Sequence, residues 1–177
     1  TVMDTHNVQM QVQNSVSGFG WLTSYIEMAL LRGVWYPSTV ATKSRKFKKI
    51  IAKALVKTSD IPVDVLMNLV IKFALHDFGG RGVSSTESAV LGGMSHLVNF
   101  WGSDTIEGIV GAHAYYDADI TRLDAPPVAR TIPASEHSTV TSWGRANEVE
   151  AYRNMVKQFS FVGSIYACVS DSYNIYE

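Results

Sequence analysis

The sequence has a single cysteine, Cys168, and no long hydrophobic run. One thiol excludes an internal disulfide, so we expect a reducing, cytoplasmic environment. Because no apolar stretch approaches the ~20 residues that cross a bilayer, we expect no membrane partner. The start of the chain lacks the basic segment and apolar core of a secretory leader, so none is expected. The neighbours of Cys168 are apolar, which favours a buried core thiol over a nucleophile.

A large charge of one sign is also missing. Fifteen Lys and Arg side chains nearly balance sixteen Asp and Glu side chains. Charged residues make up only 18% of the chain, whereas 46% of it is hydrophobic. With 177 residues, this composition suits one globular domain with a sizeable core.

The exception is segment 28–59, which carries eight of the Lys and Arg residues and no acid. One interpretation is a nucleic-acid patch. However, apolar side chains recur there at helical spacing, and four lysines lie off that stripe. We therefore favour an amphipathic helix with a solvated lysine face, and we expect no nucleic-acid partner. The stripe consists of Phe47, Ile50, Ile51, Ala54 and Leu55, and the lysines are Lys46, Lys49, Lys53 and Lys57.

The predicted elements divide the chain into three parts. Alternating residues predict a strand within 1–16, which we interpret as the remnant of a preceding β-rich domain. In segment 17–70 we predict a helix that stops near Gly33 and Pro37, then the lysine-rich helix, then a short helix from about Pro62. Segment 71–177 alternates strands with helices, which is typical of parallel βα units. Its strands end near Phe78, Trp101, Ala134 and Val169, and its helices cover about 85–97, 105–116 and 146–159.

Four βα units amount to half of an eight-stranded (β/α) barrel. We therefore predict an α/β fold in which 17–70 packs on the first half of a barrel-like catalytic domain, 71–177. In such barrels, catalytic side chains gather in the loops that follow the strands. Candidate side chains occur at each of these places: Phe78 with Arg81, Ser103 with Asp104, Glu136 with His137, and Ser170 with Asp171.

The loop 75–85 is the most informative of these. Its three glycines allow the backbone to approach a ligand closely, and the spacing of Ser84 and Glu87 predicts a capping box on the next helix. An aromatic face at Phe78 beside a guanidinium at Arg81 suits a flat ring next to a phosphate. A turn that precedes a helix explains the same residues without any ligand.

Eight short segments spread over nearly the whole chain carry a resemblance to a known family. They are Trp21–Thr23, Trp35–Pro37, Thr39–Thr42, His76–Ser85, His96–Phe100, Gly102–Thr105, Pro133–Thr139 and Ser170–Tyr173. Together they resemble the nicotinamide phosphoribosyltransferase family, one of the nicotinate and nicotinamide phosphoribosyltransferases. Ordered blocks are far more specific than a single motif. The resemblance implies a barrel-like type II phosphoribosyltransferase domain.

The resemblance implies transfer of a phosphoribosyl group from phosphoribosyl pyrophosphate to nicotinamide, giving nicotinamide mononucleotide and pyrophosphate. It gives substrate-binding roles to Phe78 as a stacking wall, to Arg81 as a diphosphate ligand and to Asp104 as the acceptor of amide N–H groups. An ionised carboxylate repels nicotinate, so Asp104 favours nicotinamide. His76 is expected to line the pocket, and Thr131 keeps a hydroxyl that some members supply from serine.

Each of these side chains also has a plainer interpretation. Without the resemblance, Phe78 is a core aromatic and Arg81 belongs to a surface ion pair. Ser103 and Asp104 look like N-caps of the following helix.

The resemblance also implies a catalytic histidine. His137 matches the residue that ATP phosphorylates and that then assists with the diphosphate, and Glu136 and Asp171 are the candidates to fix its tautomer. The implied cofactors are Mg²⁺ and ATP as a coupling co-substrate, and the implied assembly is a homodimer. No His or Cys residues have zinc-ligand spacing, so we expect no metal ion held by the protein alone.

Two blocks of the family, Arg-Pro-Asp-Ser-Gly and Gly-Asp-Gly, do not occur in this sequence. We therefore interpret the chain as a fragment of a longer enzyme, inactive by itself, or as a minimal relative that must pair to be stable. Two alternatives stay open. One is a nicotinate phosphoribosyltransferase, which Asp104 disfavours, and the other is a non-catalytic binding or interaction fragment.

Overall fold

The computed structural model describes residues 2–122 and 127–176. The chain forms two compact units, Thr1–Ala129 (unit 1) and Arg130–Glu177 (unit 2), which are described separately below. The helices and strands of unit 1 are α1 (Trp21–Thr58), α2 (Val63–Asn68), β1 (His76–Asp77), α3 (Thr86–Leu97), β2 (Gly102–Ser103) and α4 (Ile106–Tyr116). Those of unit 2 are α5 (His137–Thr141) and α6 (Glu148–Phe159).

Residues 2–20 contain turns and bends but neither a helix nor a strand. The strand predicted within 1–16 is therefore wrong as secondary structure. Alternation of apolar and polar residues produces a strand only where a neighbouring strand supplies hydrogen-bond partners. Here the alternating Val8, Met10 and Val12 are exposed, and they pair with neither of the strands that the structure describes. The division into 1–16, 17–70 and 71–177 stays a prediction.

Helix α1 continues through the predicted stop. Pro37 lies inside it and is buried, so the expected break near that residue is wrong. A proline in a helix interior removes one backbone hydrogen bond and costs about 3 kcal/mol, which tertiary packing has to offset. The neighbouring Tyr36 supplies such packing, because its hydroxyl lies against Gly92 of α3. Within the described ranges, no helix combines the length and the apolar character that crossing a bilayer requires.

The side of α1 that packs inward is more polar than predicted. Ser44 is buried, and its hydroxyl accepts a hydrogen bond from Asn99 Nδ2 at 2.7 Å. Lys48 Nζ donates to the Asn99 carbonyl at 2.5 Å and lies 5.5 Å from the centre of the Phe100 ring. The turn after α3 thus presents polar partners to α1, and a polar stripe of the helix meets them.

The predicted apolar stripe is consequently only partly buried. Phe47 and Ile50 are exposed, whereas Ile51 and Leu55 are half-buried beside the Ser44 side of the helix. The lysines of the predicted wet face, Lys46, Lys49, Lys53 and Lys57, are exposed as expected.

Both units contain a short parallel pairing. In unit 1, β1 pairs with β2 in the register His76↔Gly102 and Asp77↔Ser103, and α3 connects the two strands. In unit 2, Ala134 and Ala167 form a parallel bridge. Parallel pairing of elements separated by helices is confirmed, and the chain is a mixed α/β structure with a small parallel sheet. The strand predicted to end at Phe78 is much shorter than expected, because Val70–Phe73 forms a 3-10 turn instead.

The predicted helices agree better with the structure than the predicted strands. Helices α3, α4 and α6 lie within about two residues of the predicted ranges, and α2 follows Pro62 as predicted. The cap of α3 differs by one residue from the prediction. Ser85, and not Ser84, is the N-cap, and its hydroxyl accepts a hydrogen bond from Ser88 N at 3.1 Å.

Two glycines allow α3 and α4 to touch through their backbones. A Cβ atom at Gly108 would lie 2.6 Å from the carbonyl carbon of Gly93 and 2.7 Å from its Cα. We expect Gly108→Ala to lower the free energy of unfolding by about 1–3 kcal/mol, because the two helices have to move apart. Thermal unfolding of the protein measures this effect.

The matched control is Gly33→Ala in α1, where an added Cβ would meet nothing within 4 Å. That variant is expected to gain about 0.5–1 kcal/mol, since alanine loses less conformational entropy in a helix than glycine does. A Gly108→Ala protein that melts at or above the wild-type temperature would contradict the backbone contact.

Candidate active site

Two hydrogen bonds tie together the loops that follow β1 and β2 in unit 1, and a third closes the first of these loops. Asp104 N donates to the Asp77 carbonyl at 2.9 Å, and Gly80 N donates to Thr105 Oγ1 at 3.1 Å. Gly79 N donates to the Asp77 carboxylate at 2.7 Å, which closes the turn after β1. The two loops are therefore fixed relative to one another at the end of the sheet.

Asp77 and Thr105 are structural residues that the sequence interpretation missed. Thr105 is buried and is also the N-cap residue of α4, a place that the sequence assigned to Ser103 or Asp104. The signal for Asp77 was its position two residues before a glycine, since an aspartate there accepts from the backbone of a turn. No comparable local signal marks Thr105, because its partner Gly80 lies in another loop.

The structure brings together three of the predicted substrate-binding residues. His76 Nε2 lies 3.2 Å from Asp104 Oδ2, and the His76 and Phe78 rings are 4.5 Å apart between centres. Phe78 is 48% exposed, so it is not the core aromatic of the plainer interpretation. Arg81 lies in the 3-10 turn Gly79–Gly82 directly after Phe78, with an exposed side chain. An aromatic face, a carboxylate and a guanidinium thus occupy neighbouring loops of one unit.

A buried histidine supports this loop cluster from behind. His96 Nε2 donates to the Gly102 carbonyl at 2.9 Å, and its ring stacks on Phe100 at 5.4 Å. Burial lowers the pKa of His96, because the charged imidazolium loses its hydration. The hydrogen bond to Gly102 and the charge of Asp77 act in the opposite direction. We interpret His96 as a neutral side chain that holds β2 in place.

A cavity of about 190 Å³ lies beneath the same loops. Its lining includes Tyr36, Asp77, His96 and Thr105. This volume is below the ~300 Å³ at which ligand pockets commonly begin. A larger cavity of about 530 Å³ lies along the exposed side of α1, but its lining is mainly apolar and holds no carboxylate or histidine. The converging polar side chains, and not the cavity size, identify the loop cluster as the candidate site.

Unit 2 contributes a second set of predicted residues. Segment 133–135 lies parallel to 167–169, because Ala167 N donates to the Pro133 carbonyl and Ser135 N donates to the Ala167 carbonyl, each at 3.0 Å. Val169 N adds a bond to Ser135 Oγ at 2.8 Å. The two segments that carry His137 and Asp171 are therefore neighbours.

His137 and Asp171 are in direct contact. His137 Nε2 lies 2.9 Å from Asp171 Oδ1, and the two side chains are 60% and 64% exposed. Glu136, the other predicted orienter, is the N-cap residue of α5 and forms a capping box with Thr139. Of the two carboxylates, the structure puts Asp171 at the imidazole. Thr131 also lies in unit 2, where its hydroxyl is 3.3 Å from the Ile132 carbonyl.

Tyr152 is a further polar residue near this pair that the sequence did not single out. A hydrogen bond with the Glu148 side chain raises the pKa of Tyr152 to about 12, and Ser170 is a second hydrogen-bond partner. Tyr152 therefore links α6 to the segment that carries Asp171. Its spacing from Glu148 on one helix face was the available signal. Cys168, in the same segment, is half-buried and not fully buried as predicted.

The residues that the structure describes include no group of three His, Cys, Asp or Glu side chains able to hold a metal ion. Mg²⁺ in phosphate-transfer sites is commonly held by one or two carboxylates together with substrate phosphates.

Sequence comparison relates this arrangement to known proteins. Residues 73–177, which include every candidate residue from His76 to Asp171, match the "Nicotinate phosphoribosyltransferase (NAPRTase) family". The chain belongs to this family. The match covers both parallel pairings and both pairs of contacting side chains, and it begins after the end of α1 and α2.

Several similar proteins carry the name nicotinamide phosphoribosyltransferase. That of Xanthomonas campestris pv. campestris (strain 8004) is 51% identical over 175 residues, which is 99% of this chain and 35% of that protein. Those of Acinetobacter baylyi and Mycoplasma genitalium are 32% and 31% identical, over 94% and 93% of this chain and 30% and 31% of the relatives. The chain thus spans about a third of the length of these family members.

Proposed function

We propose that this chain is part of a longer enzyme that transfers a phosphoribosyl group to nicotinamide in the salvage of NAD. The bond between ribose C1′ and the diphosphate oxygen of phosphoribosyl pyrophosphate breaks, and a bond from the pyridine nitrogen to C1′ forms. Pyrophosphate leaves with the bonding electron pair. This proposal depends on the close placement of Phe78, His76 and Asp104, in a chain whose relatives carry the name nicotinamide phosphoribosyltransferase.

In this proposal the loops of unit 1 form the pyridine slot. The half-exposed ring of Phe78 stacks on the pyridine, and Asp104, whose side chain is 38% exposed, accepts the amide N–H groups. Arg81 extends from the turn after Phe78 and binds the diphosphate through its forked N–H groups. Holding the pyridine in line with C1′ is the main rate advantage that such a slot offers.

The contact between His137 and Asp171 supports a role for His137 as the residue phosphorylated by ATP. Nε2–H donates to the carboxylate, so the neutral tautomer leaves the lone pair of Nδ1 as the nucleophile. Attack by Nδ1 on the γ-phosphorus of ATP breaks the bond to ADP, and Asp171 balances the charge of the phosphorylated ring. The phosphohistidine then assists the handling of diphosphate. Glu136 serves this histidine indirectly, by starting its helix.

The remaining parts of the proposal rest on the family. They are a barrel-like type II phosphoribosyltransferase domain, a homodimer, a cytoplasmic location, a hydroxyl contact from Thr131, and ATP with Mg²⁺ as cofactors. Mg²⁺, when bound with the substrate phosphates, would neutralise charge on the departing pyrophosphate.

A nicotinate phosphoribosyltransferase is the nearest alternative, and the family description itself names nicotinate. The carboxylate of Asp104 favours nicotinamide, because it attracts amide donors and repels a second carboxylate. A non-catalytic binding fragment is the alternative of a different class, and it applies to the 177 residues taken alone.

The direct test supplies the intact protein with nicotinamide and phosphoribosyl pyrophosphate. We expect nicotinamide mononucleotide and pyrophosphate to appear in a one-to-one ratio, and the absence of both products would contradict the proposal. The chain of 177 residues alone is expected to give no mononucleotide above a blank, because it spans about a third of the length of its relatives. Measurable synthesis by this chain would show that it is a complete minimal enzyme.

A further inference from the structure

His76 occupies a closely fitted position in the two-stranded sheet. Its side chain is 9% exposed, and its partner in the register is Gly102. A Cβ atom at Gly102 would lie 2.7 Å from His76 Nδ1, so the glycine makes room for the ring. The Phe78 ring lies 4.5 Å away with a tilt of 31°. These neighbours restrict rotation of the imidazole and fix the direction in which Nε2 points.

That direction is toward Asp104. Nε2 lies 3.2 Å from Asp104 Oδ2, yet this buried nitrogen has no aligned hydrogen bond among the described residues. The contact is therefore electrostatic in this geometry. The backbone of Asp104 is fixed as well, because its N–H donates to the Asp77 carbonyl at 2.9 Å.

We propose that His76 is a positioning residue, which holds the Asp104 carboxylate toward the pyridine and so strengthens the preference for an amide over an acid. The inference rests on the proposed function, since it requires Asp104 to contact the substrate. A carboxylate that is 38% exposed is also open to water, so the contact with the buried Nε2 biases its orientation. When its orientation is fixed, the Asp104 carboxylate accepts the N–H groups of nicotinamide and repels the carboxylate of nicotinate.

The test is a double-mutant cycle in the intact protein. The single variants His76→Leu and Asp104→Ser and the double variant are compared with wild type. The quantity measured is the ratio of kcat/KM for nicotinamide to kcat/KM for nicotinate, because a loss of folded enzyme lowers both constants alike. Where turnover is too slow, the ratio of the two dissociation constants replaces it.

We expect His76→Leu to lower this ratio about ten-fold, because the hydrogen bond from the substrate amide to the charged Asp104 carboxylate is weakened. In the Asp104→Ser background, the same His76→Leu change should leave the ratio unaltered. His76→Gln retains an N–H donor near the position of Nε2 and should keep the ratio within about three-fold of wild type.

Each other outcome overturns the inference in a distinguishable way. If Asp104→Ser lowers the ratio but His76→Leu does not, His76 has no positioning role and the proposed function is unaffected. Equal losses in both backgrounds would mean that His76 acts directly on the substrate. A His76→Gln ratio as low as that of His76→Leu would show that ring packing, and not the donor, matters. A ratio unchanged by Asp104→Ser would overturn the inference, and with it the proposed role of Asp104 in the recognition of nicotinamide.

Discussion

Replacing Asp104 by serine in the intact protein is expected to lower kcat/KM for nicotinamide about ten- to a hundred-fold. A hydrogen bond to a charged group contributes roughly 1.5–3 kcal/mol, and the variant removes the charged acceptor of the amide. Nicotinate should lose less, or gain, because its repulsion by the carboxylate disappears. The ratio of the two specificity constants, measured from initial rates, reports the effect.

Asp119→Ser is the matched control for this experiment. Asp119 is an exposed carboxylate of unit 1 that binds the backbone and hydroxyl of Thr121, outside the loops of the candidate site. Its replacement should leave the ratio as it is in wild type. A ratio equally unaffected by Asp104→Ser would mean that selectivity resides in other residues.

His137→Ala is expected to abolish acid-labile labelling of the intact protein by ATP carrying a labelled γ-phosphate. The ATP-dependent gain in mononucleotide synthesis should disappear with the label, while some ATP-independent transfer remains. Because Asp171 contacts Nε2, we further expect the phosphoryl group of the wild-type protein on Nδ1. Asp171→Asn should weaken the labelling, since an amide balances the charge of the imidazole less well.

His113→Ala provides the control for nonspecific labelling. His113 is exposed in unit 1 and contacts the Ala118 carbonyl at 2.9 Å, so its loss should not alter the signal. Labelling that persists in His137→Ala would refute the assignment of the nucleophile. A phosphoryl group found on Nε2 would instead contradict the tautomer that Asp171 imposes.

The helices were predictable from the sequence where local signals and packing agree. Helix α3 starts after a serine cap, and its predicted range lies within one residue of the structure. The stop at Pro37 was predicted from local chemistry alone and is wrong, because contacts between distant residues outweigh the cost of a proline. The network of Ser44, Asn99 and Lys48 shows the same limit, since residues separated by about fifty positions determine which face of α1 is buried.

The sequence predicts which residues belong to the candidate site, but it does not predict the contacts between them. Glycines and caps marked the loop around Phe78, and the resemblance pointed to Asp104. The contact between His76 and Asp104 depends on the register of β1 and β2, which no local pattern sets. The link between Gly80 and Thr105 depends on the same pairing. In unit 2, the choice of Asp171 over Glu136 as the partner of His137 likewise follows from the parallel bridge at Ala134.

The most direct test of the central claim is a competition in one reaction. The intact protein is supplied with phosphoribosyl pyrophosphate and with nicotinamide and nicotinate at equal concentrations, and the two mononucleotides are separated and counted. The product ratio equals the ratio of the two specificity constants. We predict that nicotinamide mononucleotide exceeds nicotinate mononucleotide at least ten-fold, the contribution of about one charged hydrogen bond. An excess of nicotinate mononucleotide, or equal amounts of the two, would contradict the proposed function.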